Sequence, residues 1–295
     1  MKPYFCSACP RSCNALRAET GLGYCRMGAD PVIARAAPHY DEEPVISGTR
    51  GSGAIFFSGC SLRCCFCQNY PISHEGYGRE ISVRRLREIY FELIDQGALN
   101  INLVNPTHFA RVIHEAMGNG LPVPVVWNSG GYEKGSTLRR FEGLVQVYLP
   151  DLKYIRPDSA RKYSAAGDYF DYAGPALREM LRQTGPVVLD DDGIIRRGTI
   201  VRHLILPGRA EESMRALDWI AENLPGAWVS LMAQYMPYGD VAGLDQLDRR
   251  LTQEEYDAVV DHLLALGLED GFVQELSSSD EKYIPCFDLT GVERH

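Results

Sequence analysis

The chain has 295 residues, 45% of them hydrophobic, with 30 Lys plus Arg against 39 Asp plus Glu and a formal charge of −9. That composition supports a large core and excludes a disordered or collagen-like chain. The acidic balance argues against nonspecific nucleic-acid binding. No apolar run approaches the ~20 residues of a membrane helix. The opening Met1-Lys2-Pro3-Tyr4-Phe5-Cys6 lacks an apolar stretch of signal-peptide length, so a cytoplasmic protein with no membrane partner is expected. Eight of the nine cysteines lie within the first 67 residues, in two tight groups. In a reducing compartment such grouping points to metal binding rather than disulfides.

Residues 1–45 are Cys-rich and loop-like, and read as a small metal-binding cap ahead of a domain over 46–295. From residue 53 onward, apolar runs of strand length alternate with segments of helical period. Strands are expected at 53–57, 100–104, 124–127, 145–149, 200–206 and 228–232. The helices between and after them are expected at 83–96, 108–117, 136–141, 169–182, 211–223 and 254–266. Residues 187–198, with Asp190-Asp191-Asp192-Gly193 at their centre, read as a hairpin inserted before the fifth strand. About six β/α units in series predict an α/β fold with a parallel sheet: a partial (β/α)6 barrel, or else a doubly wound sheet. In either, chemistry belongs at the carboxyl ends of the strands. The segment Phe272-Val273-Gln274-Glu275 is a candidate to close the open edge.

Directly after the first strand come Cys60, Cys64 and Cys67 in a C-x3-C-x2-C loop. Three thiolates from one loop can hold three irons of a cubane cluster and leave the fourth open to a chelating small molecule. A structural zinc site that also uses Cys65 is the alternative. The spacing, with Phe66 just before the last cysteine, resembles the radical S-adenosylmethionine superfamily. The resemblance implies a 4Fe–4S cluster, S-adenosylmethionine on its open iron, and reductive cleavage to a 5′-deoxyadenosyl radical that abstracts a hydrogen atom. It also implies a one-electron reductant such as flavodoxin or ferredoxin.

Residues 50–240 resemble more closely the pyruvate formate-lyase activating enzyme group. Asn128-Ser129-Gly130-Gly131-Tyr132 is similar to its Asp-Thr-Asn-Gly-Phe stretch, and Asp151-Leu152-Lys153 to its Asp-x-Lys motif. Arg202 before Leu206-Pro207-Gly208 resembles its Arg ahead of Val-Pro-Gly, and Gln234 stands where the group carries a His. Asn105-Pro106-Thr107-His108 replaces its Gly-Gly-Glu, leaving the backbone carbonyls, Asn105 or Thr107 as the hydrogen-bonding candidates there. By this resemblance Phe66, Asn105, Asn128, Ser129, Asp151, Lys153, Arg202 and Gln234 contact the cofactor. The activity implied is hydrogen abstraction from a glycine of a partner. The alternatives are radical modification of another protein, peptide or small molecule, or a non-catalytic zinc or iron–sulfur protein.

His108 is either a donor to the site or a helix-start residue. His203, which alternates with Arg202 along a strand, is expected to be structural. Cys6, Cys9, Cys13 and Cys25 form a second set of four thiols, with Pro10, Gly21 and Gly23 supplying turns. Zinc is expected there, with an auxiliary iron–sulfur cluster as the alternative.

Overall fold

In the computed structural model, residues 3–18, 23–244, 246–279 and 285–293 are described; Gly21 lies outside them. Two short strands, β1 (Tyr4–Phe5) and β2 (Leu16–Arg17), form a separate antiparallel pair. The main sheet opens with β3 (Val32–His39), and a single turn of helix, α1 (Pro44–Ser47), leads to β4 (Ser52–Phe57). After α2 (Tyr70–Ser73) and β5 (Arg79–Glu80), strand and helix alternate: α3 (Val83–Asp95), β6 (Ile101–Val104), α4 (Ala110–Met117), β7 (Val125–Ser129), α5 (Gly135–Leu138) and β8 (Val147–Pro150). The helices α6 (Pro157–Ser164) and α7 (Tyr169–Thr184) follow, then the hairpin strand β9 (Val188–Leu189) and β10 (Ile195–Leu204). The chain continues through α8 (Ala210–Asn223), β11 (Trp228–Met232), α9 (Gln253–Ala265) and β12 (Gly271–Val273).

The sheet order is β12-β11-β10-β8-β7-β6-β4-β3-β5, with β9 on the side of β10. From β4 to β12 every neighbour is parallel and strands succeed one another in chain order. Among the described residues the order never reverses, so they show no switch point and the doubly wound alternative does not hold. They form seven parallel strands where six were expected; the seventh, β12, pairs with β11 and extends the open edge at Phe272. The Cys-rich segment also yields more structure than its loop-like texture suggests, because β3 pairs antiparallel with β4 along its length.

The local causes are ordinary. Strand β4 is buried on both faces, which is why Gly53-Ala54-Ile55-Phe56-Phe57 reads as a continuous apolar run. Helix α3 starts where Ser82 accepts from the Arg85 amide, and it buries Leu86, Ile89, Tyr90 and Leu93. Helix α9 starts on a reciprocal capping box between Thr252 and Glu255. In the 187–198 hairpin, the Asp190 carboxylate accepts from the amides of Asp192 and Ile194, closing the turn. The other face of the sheet is different: one cavity of about 440 Å³ is lined from His39 of β3 round to Phe272 of β12. Among the described residues no helix is long and apolar enough to cross a membrane.

Candidate active site

The loop after β4 carries the three thiols into that cavity. Gly59 makes the turn at φ +81°, and a Cβ there would lie 2.4 Å from Met27 Cγ and 2.7 Å from the Cys25 carbonyl. Cys60, Cys64 and Cys67 all line the cavity, and Cys65 does not. The amides of Leu62 and Arg63 donate to Cys60 Sγ at 3.3 and 3.4 Å. The Ser164 hydroxyl donates to Cys64 Sγ at 2.9 Å.

Burial pushes the Cys67 thiol up to about 12, and the neighbouring Cys64 and Cys60 push the same way. Burial and its neighbours thus disfavour the Cys67 thiolate, and a metal would supply the positive charge that thiolate ligation needs. The chemistry of the three thiols therefore fits an iron–sulfur cluster, with hydrogen-bond donors already aimed at the sulfurs. Phe66 is buried, edge-on to Tyr163 and Tyr235, and reaches the cavity wall.

Beyond the thiols, the ends of β7, β8 and β10 bring together a charged network. Asp151 receives Lys153 Nζ at 2.6 Å on one oxygen and Arg202 Nε at 2.9 Å on the other. Burial works to raise the Asp151 carboxyl, but Arg202 and Lys153 outweigh it and hold it below its ordinary value. Burial works against the Lys153 ammonium, yet Asp151, with Cys64 and Cys67 behind it, keeps it charged. Arg202 Nη2 donates to Asn128 Oδ1 at 2.6 Å. Gly131, at φ +74°, permits the crossing of this layer, since a Cβ there would lie 2.3 Å from the Asp151 carbonyl. Such a set offers cations for a carboxylate and a carboxylate for hydroxyls or an ammonium.

Asn128, Ser129, Asp151, Lys153, Arg202 and Gln234 all line the same cavity as the thiols. Asn105 joins them at φ +60°, donating its side-chain amide to the Gly59 carbonyl and so bracing the cysteine loop. Gln234 is held by Gln68 at 3.4 Å and by Gln274 Nε2 at 3.1 Å.

His108 is not a wall of this cavity. It is 2% exposed, with Nε2 bonded to the Ser58 carbonyl at 2.7 Å. His203 is equally buried against the Leu152 carbonyl at 2.6 Å. Among the cavity's charged residues, Glu42 and Glu43 escaped the sequence reading; Gln274, read only as part of a segment closing the open edge, also lines the cavity. Glu42 Oε1 accepts from Asn102 at 3.0 Å and Asn128 at 3.1 Å, and its Oε2 faces Arg202 Nη1 at 3.4 Å. No motif flags it, because it reaches the site only through the pairing of β3 with β4.

The second cysteine group lies beside the first. Cys6, Cys9 and Cys25 are buried and Cys13 is exposed. Arg17, 1% exposed, donates to Cys25 Sγ at 3.0 Å and Cys6 Sγ at 3.6 Å, as well as to the carbonyls of Met27 and Gly28. A Cβ on Gly23 would lie 3.2 Å from Cys13 Sγ and 3.3 Å from Arg17 Nη2. Among the described residues no three His, Cys, Asp or Glu side chains stand at the spacing of a single metal ion, neither in this group nor among Cys60, Cys64 and Cys67.

No family model matches the chain. It is 28% identical over 267 residues to the uncharacterized protein MJ0674 of Methanocaldococcus jannaschii, which covers 87% of this chain and 73% of that protein. Among solved structures it is similar to Streptococcus suis SuiB bound to precursor peptide SuiA, with a TM-score of 0.48 and 12% identity over 73% of this chain and 46% of that one. The chain thus spans less than half of SuiB. It is also similar to methylornithine synthase (PylB), with a TM-score of 0.44 and 16% identity over 72% of this chain and 68% of that one. For a spore photoproduct lyase mutant the TM-score is 0.47, with 11% identity over 81% of each chain.

Proposed function

We propose that the chain is a radical S-adenosylmethionine enzyme built on a partial (β/α) barrel. One observation carries the reading: the three thiols of the C-x3-C-x2-C loop open onto the same cavity as Asp151, Lys153, Arg202, Asn128 and Gln234. Cys60, Cys64 and Cys67 hold the 4Fe–4S cluster. When bound, cluster and cofactor together supply reductive C–S cleavage and a 5′-deoxyadenosyl radical that takes a hydrogen atom from substrate. The protein's part is to orient and to exclude water. Lys153 and Arg202 would hold the cofactor carboxylate, and Asp151 would accept from its hydroxyls or ammonium. Gln234, held by Gln68 and Gln274, offers an amide at the end of β11. Phe66 supplies a flat apolar wall for the adenine.

The electron comes from a one-electron reductant such as flavodoxin or ferredoxin. The activating-enzyme resemblance would place the abstracted hydrogen on a glycine of a partner. Asn105-Pro106-Thr107-His108, where that group has Gly-Gly-Glu, favours a different protein, peptide or small molecule. At the N-terminal thiols, Arg17 supports an occupied metal site. A buried guanidinium whose side-chain partners are sulfurs needs anions, and metal-bound thiolates provide them where free thiols or disulfides do not.

The test is anaerobic. The reconstituted, reduced protein is given S-adenosylmethionine, and 5′-deoxyadenosine and methionine are measured by mass spectrometry, with Cys64→Ala as control. Product from the wild type alone is expected. An iron-loaded protein that makes none, and whose cluster spectrum ignores S-adenosylmethionine, would overturn the reading. Metal analysis of a Cys60→Ala/Cys64→Ala/Cys67→Ala chain reads the N-terminal site by itself.

A further inference from the structure

The charged layer at the strand ends does not exhaust the cavity. The segment after β3 enters it from the opposite end of the strands to the cysteine loop, because β3 runs antiparallel to β4 and ends beside Ser52. Glu42 reaches Asn102, which pairs with Val126 two residues before Asn128. At ~3.3 Å per residue, Asn102 marks a level ~6–7 Å below the Asn128 layer. Glu42 and Glu43 therefore form a floor beneath the layer of Asn128, Asp151 and Arg202.

The two floor residues differ. Both oxygens of Glu42 are engaged, by Asn102, Asn128 and Arg202. Glu43 is 9% exposed and lines the cavity, yet its Oε2 has no partner. Its side chain does not cap α1, although it stands at the N-cap position; its hydrogen-bonding neighbour is Ser230 on β11. Around the cavity the carboxylates of Asp151, Glu42 and Glu43 face the cations Lys153 and Arg202. Asp151 contacts both cations and Glu42 contacts Arg202; Glu43 feels Arg202 only through space, and its Oε2 stays unpartnered. A buried carboxylate oxygen without a partner is costly, and a ligand that brings a cationic donor to it removes the cost.

We propose that Glu43, with Ser230 beside it, is the subsite that recognises a cationic nitrogen, ammonium or guanidinium, on the substrate. This rests on the reading of the cavity as a radical S-adenosylmethionine site and names the class of molecule that shares it. Burial pushes the Glu43 carboxyl above its ordinary value, opposed by Arg202 and reinforced by Glu42. An arriving cation would draw it back to the ionised form. The phenyl ring of Phe272 and the imidazole of His39 line the same cavity and give an apolar stem somewhere to lie.

The experiment is a binding titration on the reconstituted full-length protein saturated with S-adenosylmethionine. The probes are n-butylamine, n-butylguanidine, n-butanol and butyrate, followed by calorimetry or ligand-observed NMR. The expected result is at least tenfold tighter binding of the two cations than of the alcohol or the acid. Glu43→Gln should lose that preference and Glu43→Asp should keep part of it, with circular dichroism verifying that both variants fold. Equal binding of all four probes would overturn the proposal. So would a Glu43→Gln variant that weakens S-adenosylmethionine binding tenfold while leaving the probes unaffected, which would assign Glu43 to the cofactor. The readout needs no turnover. Cation binding without 5′-deoxyadenosine formation would sink the radical reading and spare the subsite; the reverse pattern would sink the subsite alone.

Discussion

Replacing Asp151 by Asn tests the charged layer most directly. The side chain is 13% exposed and holds Lys153 at 2.6 Å and Arg202 at 2.9 Å. Asn keeps the shape but removes the charge that both cations face. Taking one partner from a buried ion pair costs about 3–5 kcal/mol, because the remaining charge is stranded. Glu42, at 3.4 Å from Arg202, stays in place and limits the loss on that side, so the lower half of the range is expected. In a chain of this size 1 kcal/mol moves Tm by about 2 °C, so a fall of about 6–8 °C follows. Thermal unfolding of the metal-free protein measures the shift, and urea denaturation the free energy, without interference from a cluster.

The pH dependence gives a second reading of the same variant. The folded Asp151 carboxyl titrates below its unfolded value of ~3.9, so its contribution is fully present above that value and disappears as pH falls through the folded pKa. Wild type and Asp151→Asn should therefore differ at pH 7 and converge in acid. If Asp151→Asn cost less than about 1 kcal/mol at pH 7, the trio would behave as a solvent-screened surface network. It would then not be a dry, pre-organised binding layer.

Other expectations are independent of that trio. Burial holds folded His108 down to about 3 and His203 to about 4, so each stays neutral in the fold and takes a proton once unfolded. Stability should fall between pH 6.5 and about 4 by up to ~1.4 kcal/mol per pH unit for each, and His203→Asn should flatten the slope measured in urea. Glu133 lies beneath β7, accepting from Thr107 at 2.6 Å and from Trp127 Nε1 at 3.2 Å, and burial raises its carboxyl to about 7. Trp127 fluorescence should titrate near that pH in the wild type and not in Glu133→Gln; an unchanged titration in the variant would contradict the assignment. Gly131→Ala combines φ +74° with a 2.3 Å approach to backbone. It should lower stability by at least ~1–3 kcal/mol and weaken S-adenosylmethionine binding together, and full stability in the variant would refute the close crossing.

The β/α alternation was readable because strands such as β4 and β7 are buried on both faces and therefore read as unbroken apolar runs. The thiols and Asp151-Leu152-Lys153 were readable because each is a contiguous motif at a strand end. Strand β3 was hidden by its own composition: Arg35 and Pro38 interrupt Val32-Ile33-Ala34, and a proline inside a run argues against a strand. The fold tolerates Pro38 because β5 pairs β3 only at Val32 and Ile33, so the second edge carries no strand at the proline. Three-residue β12 is too short to show a period. Glu42 and Glu43 could not be found without β3, since tertiary pairing alone carries them under the layer of Arg202.

The close seating of the N-terminal cysteine segment against the Cys60 loop ties the two groups together. Arg11 reaches from the cap to the carbonyls of Ser61, Ser164 and Ala165, and Met27 presses on Gly59. The residues that shape the thiol loop are thus partly supplied by the segment that carries the other four cysteines. A change at Arg11 or Met27 would disturb the Cys60 loop without touching a thiol, so the two cysteine groups are mechanically one unit.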